Sequence, residues 1–245
     1  MKCLLLAAGY ATRLYPLTEN FPKSLLEVKG KTILDWLVDD LDKCGKIDEY
    51  IVISNHKFYN SFLDWAKTKD LSVKVIDDGT SSNETRLGAV KDVEFAISSL
   101  GIDDDVLVLA SDNVLDFSLC SFINYAEDKK ASCVMRYYEG ETKKLSKSGV
   151  LTIDDNDKVI SMQEKPEKPE TNWCCPPFYF FTRVDAKKIP LAIESGCKTD
   201  APGSFISWLC KNSTVYAMQM PGSRYDIGNL ESYEKVKAEY SGITK

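Results

Sequence analysis

Apolar and polar positions change period along the chain, and the changes mark its elements. Residues 1–8 are apolar apart from Lys2, the pattern of a strand buried on both faces. Across 32–44 the apolar residues Ile33, Leu34, Leu37 and Leu41 recur at three- and four-residue spacing, which predicts a helix. Residues 49–54 read as a second strand. Residues 56–68 read as a helix carrying Phe58, Phe62, Leu63 and Trp65, and 72–77 as a third strand. The helical period returns over 86–100 through Leu87, Val90, Val93, Phe95 and Ile97, and 105–110 is a fourth, continuously apolar strand. Strands alternating with helices in this order predict a parallel sheet covered by helices, with right-handed crossovers.

Beyond about residue 116 the pattern changes. Strands are expected over 131–137, 149–153 and 159–162, with the acidic run 154–157 as the turn of a hairpin. Residues 166–170 are a polar loop and 178–182 another strand. Helices are expected over 185–194 and 203–211, a late strand over 215–220 and a closing helix over 230–240. The fold class expected is therefore α/β, a doubly wound, mainly parallel but mixed sheet. No linker or repeat interrupts it, so 1–245 is expected to be a single domain.

Composition narrows the classes. The chain has 245 residues, 44% hydrophobic and 28% charged, and a net charge of -6 without a long basic run. A nucleic-acid partner is not expected. No apolar stretch approaches the ~20 residues that span a bilayer, and the opening apolar run lacks a cleavage site. A cytoplasmic protein with no membrane partner is expected. With eight cysteines in no C-x-x-C pair and one histidine, His56, a zinc site is not expected. The cysteines read as small buried residues in a reducing compartment.

Four stretches carry chemistry. In parallel sheets ligands bind at the carboxyl ends of strands. The first strand runs there into Ala7-Ala8-Gly9-Tyr10-Ala11-Thr12-Arg13, a turn of small residues whose backbone N–H groups can approach an anion. Arg13 supplies a forked phosphate donor, and Pro16 and Pro22 stiffen the approach to Lys23. The spacing fits neither the Walker nor the dinucleotide glycine pattern; the plain alternative is a βα turn with surface cations. At the end of the fourth strand stands Ser111-Asp112-Asn113. An acid there needs a partner, such as a divalent cation or a helix to cap. Gln163-Glu164-Lys165-Pro166 places an acid beside a base at a strand end. Arg224-Tyr225-Asp226-Ile227-Gly228 adds a further aspartate before the last helix.

In this order the four resemble the sugar-phosphate nucleotidylyltransferases, typified by glucose-1-phosphate thymidylyltransferase. The matching pieces are LAAGYATRLYPLTENFPKSLLEV, LASDN, QEKP and YDIGNLESY, spread over residues 4 to about 234. The resemblance implies a Rossmann-like nucleotidyltransferase fold with a nucleotide-binding half near 1–116 and an acceptor-binding half near 117–245. It implies an enzyme that joins a nucleoside triphosphate to a phosphorylated acceptor and releases pyrophosphate. Gly9, Tyr10, Ala11 and Thr12, with Ala7, Ala8 and Ser111, would lie on the nucleotide. Arg13 would hold the β- and γ-phosphates, and Lys23 would stand near the α-phosphate. Asp112 and Asp226 would bind Mg²⁺. Lys165 would take the acceptor's phosphate. Glu164, Asn113, Gly149 and Tyr179 would line the acceptor, and Gly88 and Asn83, with Thr80 and Glu84, would meet the base.

The base is open among CTP, UTP and dTTP, since the Gln-Pro opening of the thymidylyltransferase base loop is absent. The acceptor is open too. Trp173, Phe178 and Tyr179 with Glu164 would suit a cationic head group such as phosphocholine, or the rings simply pack the sheet. The rival classes are a metal-dependent glycosyltransferase, which has no need of the opening loop, and a non-catalytic nucleotide-sugar sensor, which has no need to keep Arg13, Lys23, Asp112, Lys165 and Asp226 together.

Overall fold

The computed structural model describes residues 1–244. Its strands are β1 Lys2–Leu6, β2 Glu27–Val28, β3 Lys31–Thr32, β4 Glu49–Ser54, β5 Val73–Asp77, β6 Val106–Ala110, β7 Asn113–Leu115, β8 Ser132–Tyr138, β9 Gly149–Ile153, β10 Val159–Glu164, β11 Trp173–Cys175, β12 Phe178–Phe181, β13 Val215–Gln219 and β14 Arg224–Asp226. Its helices are α1 Ile33–Asp42, α2 Tyr59–Ala66, α3 Ala89–Leu100, α4 Cys120–Lys129, α5 Thr142–Leu145, α6 Arg183–Ala186, α7 Ile189–Glu194, α8 Gly203–Asn212 and α9 Leu230–Glu239. The chain divides into two compact units, each gathered from separated stretches. The first takes 1–86, 109–121 and 221–244, and the second 87–108 and 122–220.

In the first unit β1, β4 and β5 pair in parallel, with Cys3 opposite Tyr50 and Val52 opposite Val75. Their centres are fully apolar and buried, as expected of strands covered on both faces. Helix α1 opens with a reciprocal cap: Asp35 N donates to Thr32 Oγ1 at 3.0 Å, and Thr32 N donates to Asp35 Oδ2 at 3.1 Å. It buries Ile33, Leu34, Leu37 and Leu41, the face the spacing predicts. Helix α9 packs Tyr233 and Val236 into a cluster with Leu14, Val28 and Ile33. Tyr233 Oη donates to Glu27 O at 2.8 Å and Tyr240 Oη to Leu115 O at 2.7 Å, so the closing segment is tied to the opening one. Strands β7 and β14 form an antiparallel ribbon with Asp226 opposite Asn113. At three residues each, they are too short for an alternating pattern to announce them.

In the second unit β10, β9, β11, β8 and β12 are antiparallel neighbours, and β13 runs parallel to β8. The expected hairpin joins β9 to β10, with Asp154 Oδ1 accepting from the backbone of Asn156 and Lys158 at 2.8 and 2.9 Å. The single helix expected over 185–194 is two, α6 and α7. Thr182 caps the first, and Pro190 lies in the opening turn of the second, where its missing N–H costs nothing. Helices α4 and α5 and strand β11 were not expected. Helix α4 buries just Phe122, Ile123 and Ala126 among polar residues, a weak periodic signal. The fold class is the expected one, α/β with mixed pairing and a parallel core.

The cysteine expectation holds for Cys3, Cys133, Cys174 and Cys175, which are buried and outside any disulfide. It fails for Cys44 and Cys120, which form a disulfide with Cα atoms 5.5 Å apart. Both sulfurs lie near the carbonyl of Asp40, at 3.7 and 3.8 Å. Folding brings together positions 76 residues apart, which no local spacing announces. Cys197 and Cys210 are half-exposed thiols.

Candidate active site

The opening loop leaves β1 at Leu6 and is held where it begins. Asn55 Nδ2 donates to Ala8 O at 2.9 Å, and Ala7 N donates to Ile53 O at 2.9 Å. Ala11 takes a left-handed conformation, φ 48°, stabilised by Thr18 Oγ1 donating to its carbonyl at 2.8 Å. A short 3₁₀ turn over Thr12–Leu14 follows. Leu14 is driven into the core cluster, and its neighbour Arg13 is thereby turned outward. Arg13 forms no hydrogen bond or ion pair with any described residue. Gly9 is exposed, and a Cβ there would meet no protein atom within 4 Å. Tyr10 contributes its backbone alone: its ring is buried against Phe58, and its hydroxyl donates to Thr80 O at 3.0 Å.

The strand ends meet as the sequence implies. Ser111 Oγ donates to Leu6 O at 2.6 Å and lies 2.6 Å from Ser24 Oγ. Buried and doubly used, Ser111 stitches two loops together. Next to Ser24, Lys23 Nζ donates to Asp112 Oδ2 at 2.8 Å. Asn113 is completely buried: its Nδ2 donates to Asp112 Oδ1 at 2.6 Å, and its Oδ1 accepts from Arg224 Nη1 at 2.6 Å. Asn113, expected at the acceptor, thus has both its polar ends occupied and holds Asp112 in place. The β7–β14 ribbon brings Asp226 to this group, with Ile227 N donating to Asp112 O at 3.1 Å. The Asp226 pKa lies above the ordinary carboxylate value. Crowding by protein atoms is the first cause and the negative charge of Asp112 the second; Arg224, Lys23 and Arg13 pull the other way. Half of its side-chain surface stays open, 52%, so the crowding is partial. Two carboxylates and three cations thus share one face of the first unit. Among the described residues no group of three or more His, Cys, Asp or Glu side chains could hold a metal.

Asp78, at the end of β5, was not singled out from the sequence. It is buried, its Oδ1 accepts from Thr80 N and Oγ1 at 2.7 Å, and its Oδ2 has no partner. Burial raises its pKa. The only hint was an acid at a strand end, the signal that marked Asp112. Asn83 is exposed and accepts from Arg86 Nη1 at 3.3 Å.

The second unit holds a cavity of about 600 Å³ lined by Glu164, Lys165, Lys198, Asp200, Ser204 and Trp208, among others. Gly149 lies opposite Glu164 in the β9–β10 pair. A Cβ on Gly203 would overlap the Glu164 carboxylate, and one on Gly149 would come within 3.4 Å of it, so two glycines make room for this side chain. The Glu164 pKa is raised, first by burial and then by Asp200, with Lys165 opposing. Gly88 takes φ +92°, and a Cβ there would stand 2.6 Å from Thr199 O, so it is a packing glycine beside the same segment. Tyr179 does not line the cavity. It is buried in β12, stacked on Phe181 with centroids 5.9 Å apart. Trp173 already faces the Arg136 guanidinium at 4.9 Å, and Phe178 is fully buried. These three rings pack the sheet and form no cage around Glu164.

A loop of small residues presents an arginine, a lysine bonds a strand-end aspartate and a late strand delivers a second aspartate, an arrangement compatible with a nucleotidyltransferase. The chain belongs to that family: the nucleotidyl transferase family model matches residues 2–242. Among its relatives is UTP--glucose-1-phosphate uridylyltransferase AglF of Haloferax volcanii, 27% identical over 243 residues, with 97% of this chain and 95% of the relative covered. Bifunctional protein GlmU of Methanocaldococcus jannaschii is 30% identical over 234 residues, which are 93% of this chain and 51% of that protein, so the chain spans about half its length. The fold matches a UDP-glucose pyrophosphorylase solved with UDP-glucose, TM-score 0.83 at 19% identity, over 98% of this chain and 97% of that one. It also matches UDP-glucose pyrophosphorylase from Acinetobacter baumannii, TM-score 0.77 at 18% identity, over 98% and 92%. Among the described residues no helix is long and apolar enough to cross a membrane.

Proposed function

We propose that this nucleotidyltransferase joins a nucleoside triphosphate, with UTP the first to test, to a sugar 1-phosphate, forming a nucleoside diphosphate sugar and pyrophosphate. The observation that carries the reading is the first unit's cluster, with Lys23 on Asp112, Asp226 alongside and the charge of Arg13 acting on Asp226. In the reaction a phosphate oxygen of the acceptor attacks the α-phosphorus, the bond from that phosphorus to the bridging oxygen breaks, and pyrophosphate leaves with the electron pair. The attacking oxygen is already anionic, so no side-chain base is required; the chain's one histidine, His56, is exposed and paired with Asp77. The obstacle is the approach of two anions. Arg13 neutralises charge that builds on the leaving pyrophosphate, and Lys23 does so near the α-phosphate. Asp112 and Asp226 would hold Mg²⁺: an all-oxygen donor pair suits this hard cation, and the like-charge pressure on Asp226 is what a cation relieves. When bound, the ion supplies Lewis-acid withdrawal of charge from phosphate oxygens.

In this reading the first unit takes the triphosphate and the second the acceptor. Lys165 meets the acceptor phosphate, and Glu164, in its glycine-lined place, meets a hydroxyl. The test is pyrophosphate release from UTP and the other triphosphates with a panel of sugar 1-phosphates and Mg²⁺. Release that depends on both substrates and on Asp112 supports the reading. Turnover of phosphocholine in preference to every sugar phosphate would replace it with the non-sugar alternative.

A further inference from the structure

The cavity of the second unit carries more positive charge than one phosphate requires. Three lysines line it: Lys165 at the end of β10, Lys198 in the segment before α8, and Lys211 on α8. On that helix Ser204, Ser207, Trp208 and Lys211 all line the cavity. Their spacing of three, four and seven residues puts them on one face, so Lys211 belongs to a continuous polar stripe. The side-chain ammonium group of none of the three forms an ion pair or hydrogen bond with a described residue. Elsewhere on this chain lysines commonly find a carboxylate, as Lys31, Lys67, Lys188 and Lys237 do. The carboxylates at the cavity, Glu164 and Asp200, do not balance the three. Glu164 is largely withdrawn against Gly149 and Gly203, and its charged form is disfavoured there. Like charges around one concavity repel, and that repulsion is relieved when an anion enters.

Resting on the proposed function, which assigns Lys165 to the reacting phosphate, we infer that Lys198 and Lys211 select an acceptor bearing a second anionic group, a carboxylate or a further phosphate. Trp208 offers a ring face for the body of such an acceptor, and Ser204 and Ser207 offer hydroxyls. A neutral sugar 1-phosphate leaves the two outer ammonium groups without a counter-charge and gains nothing from them.

The experiment measures kcat/KM from pyrophosphate release by the full chain with Mg²⁺ and each of four triphosphates. The acceptors are glucose 1-phosphate, glucosamine 1-phosphate, glucuronic acid 1-phosphate and glucose 1,6-bisphosphate. The expected result is at least a tenfold preference for one of the last two over glucose 1-phosphate, and which one is preferred identifies the anionic group. The double substitution K198A/K211A is expected to remove most of that preference, mainly by raising KM for the doubly anionic acceptor. The inference is overturned if glucose 1-phosphate or glucosamine 1-phosphate serves as well as both, or if the double substitution slows all four acceptors equally. Absence of pyrophosphate from every pair would instead refute the proposed function. Calorimetry then decides the inference: binding of a doubly anionic sugar phosphate, weakened at least tenfold in K198A/K211A, sustains it, and equal binding of all four overturns it.

Discussion

Asp112 and Asp226 repel each other across a site that also holds Lys23 and Arg13, and an electrostatic role makes testable demands on each. Asp112→Asn and Asp226→Asn keep the side-chain volume and remove the charge. Each is expected to lower kcat/KM by about 10²- to 10³-fold, on the order of 3–4 kcal/mol for one preorganised charged group. Unchanged circular dichroism and unfolding midpoints would separate this loss from misfolding. Near wild-type rates at limiting Mg²⁺ would remove both residues from the metal site. Glu164 divides function from stability. Its folded pKa is raised above the ordinary 4.5, so the folded state favours its protonated form. The stability it contributes is present below the unfolded pKa and lost as pH rises through the folded value. Glu164→Gln is therefore expected to be more stable than wild type at pH 8, with the gap closing towards pH 4 in urea unfolding, while turnover falls. Gly88→Ala should cost about 2–3 kcal/mol of stability, since a non-glycine residue must hold φ +92° against the Thr199 carbonyl. At this scale the sequence was informative where an acid ended an apolar run, as at Asp112, or stood two before a glycine, as at Asp226. It gave no sign that the side chains of Tyr10, Ser111 and Asn113 bond distant neighbours, or that Tyr179 stacks on Phe181. Hydrogen-bond partners 70 or more residues away are not written in a motif.

At the scale of elements, the junction of β8, β12 and α6 is fixed by a buried carboxylate. Asp185 accepts from Ser132 Oγ at 2.6 Å and from Lys188 Nζ at 2.8 Å, while Ser132 Oγ accepts from Thr182 N at 3.1 Å. Burial pushes the Asp185 pKa up, but the hydrogen bonds from Lys188, Ser132 and Ser213 outweigh it, and the net shift is downward. Its stabilisation is thus present above the unfolded pKa, near 3.8, and is lost as pH falls through the lower folded value. Asp185→Asn is expected to cost about 2–3 kcal/mol at pH 7, with the difference from wild type shrinking below about pH 4. A difference independent of pH would show that the charge is not what stabilises this junction. The long periodic elements were legible: α1, α3, α8 and the apolar strands came out within a few residues of their predicted bounds. The three-residue strands β7, β11 and β14 were not, because three positions cannot establish a period. The break between α6 and α7 was legible in Pro190 and was passed over.

At the scale of the molecule, the sequence pattern marked a change near residue 116 but not how the chain is partitioned. The late segment 221–244 returns to the first unit, carrying Asp226 to Asp112 and α9 to the opening loop's core cluster. A linear division near residue 116 has no way to anticipate that return, which is made by the β7–β14 ribbon and by Tyr233 and Tyr240. The disulfide between Cys44 and Cys120 was hidden for the same reason. The account's central claim is that this assembly moves a nucleotidyl group onto a sugar phosphate, and coupled detection of pyrophosphate and nucleotide sugar tests it most directly. With Mg²⁺, the full chain is predicted to release one pyrophosphate for each nucleoside diphosphate sugar formed from at least one pair of triphosphate and sugar 1-phosphate. Chelating the metal or substituting Asp112→Asn should abolish both products together. Absence of pyrophosphate with every pair, or release that continues without an acceptor or without Asp112, would contradict it.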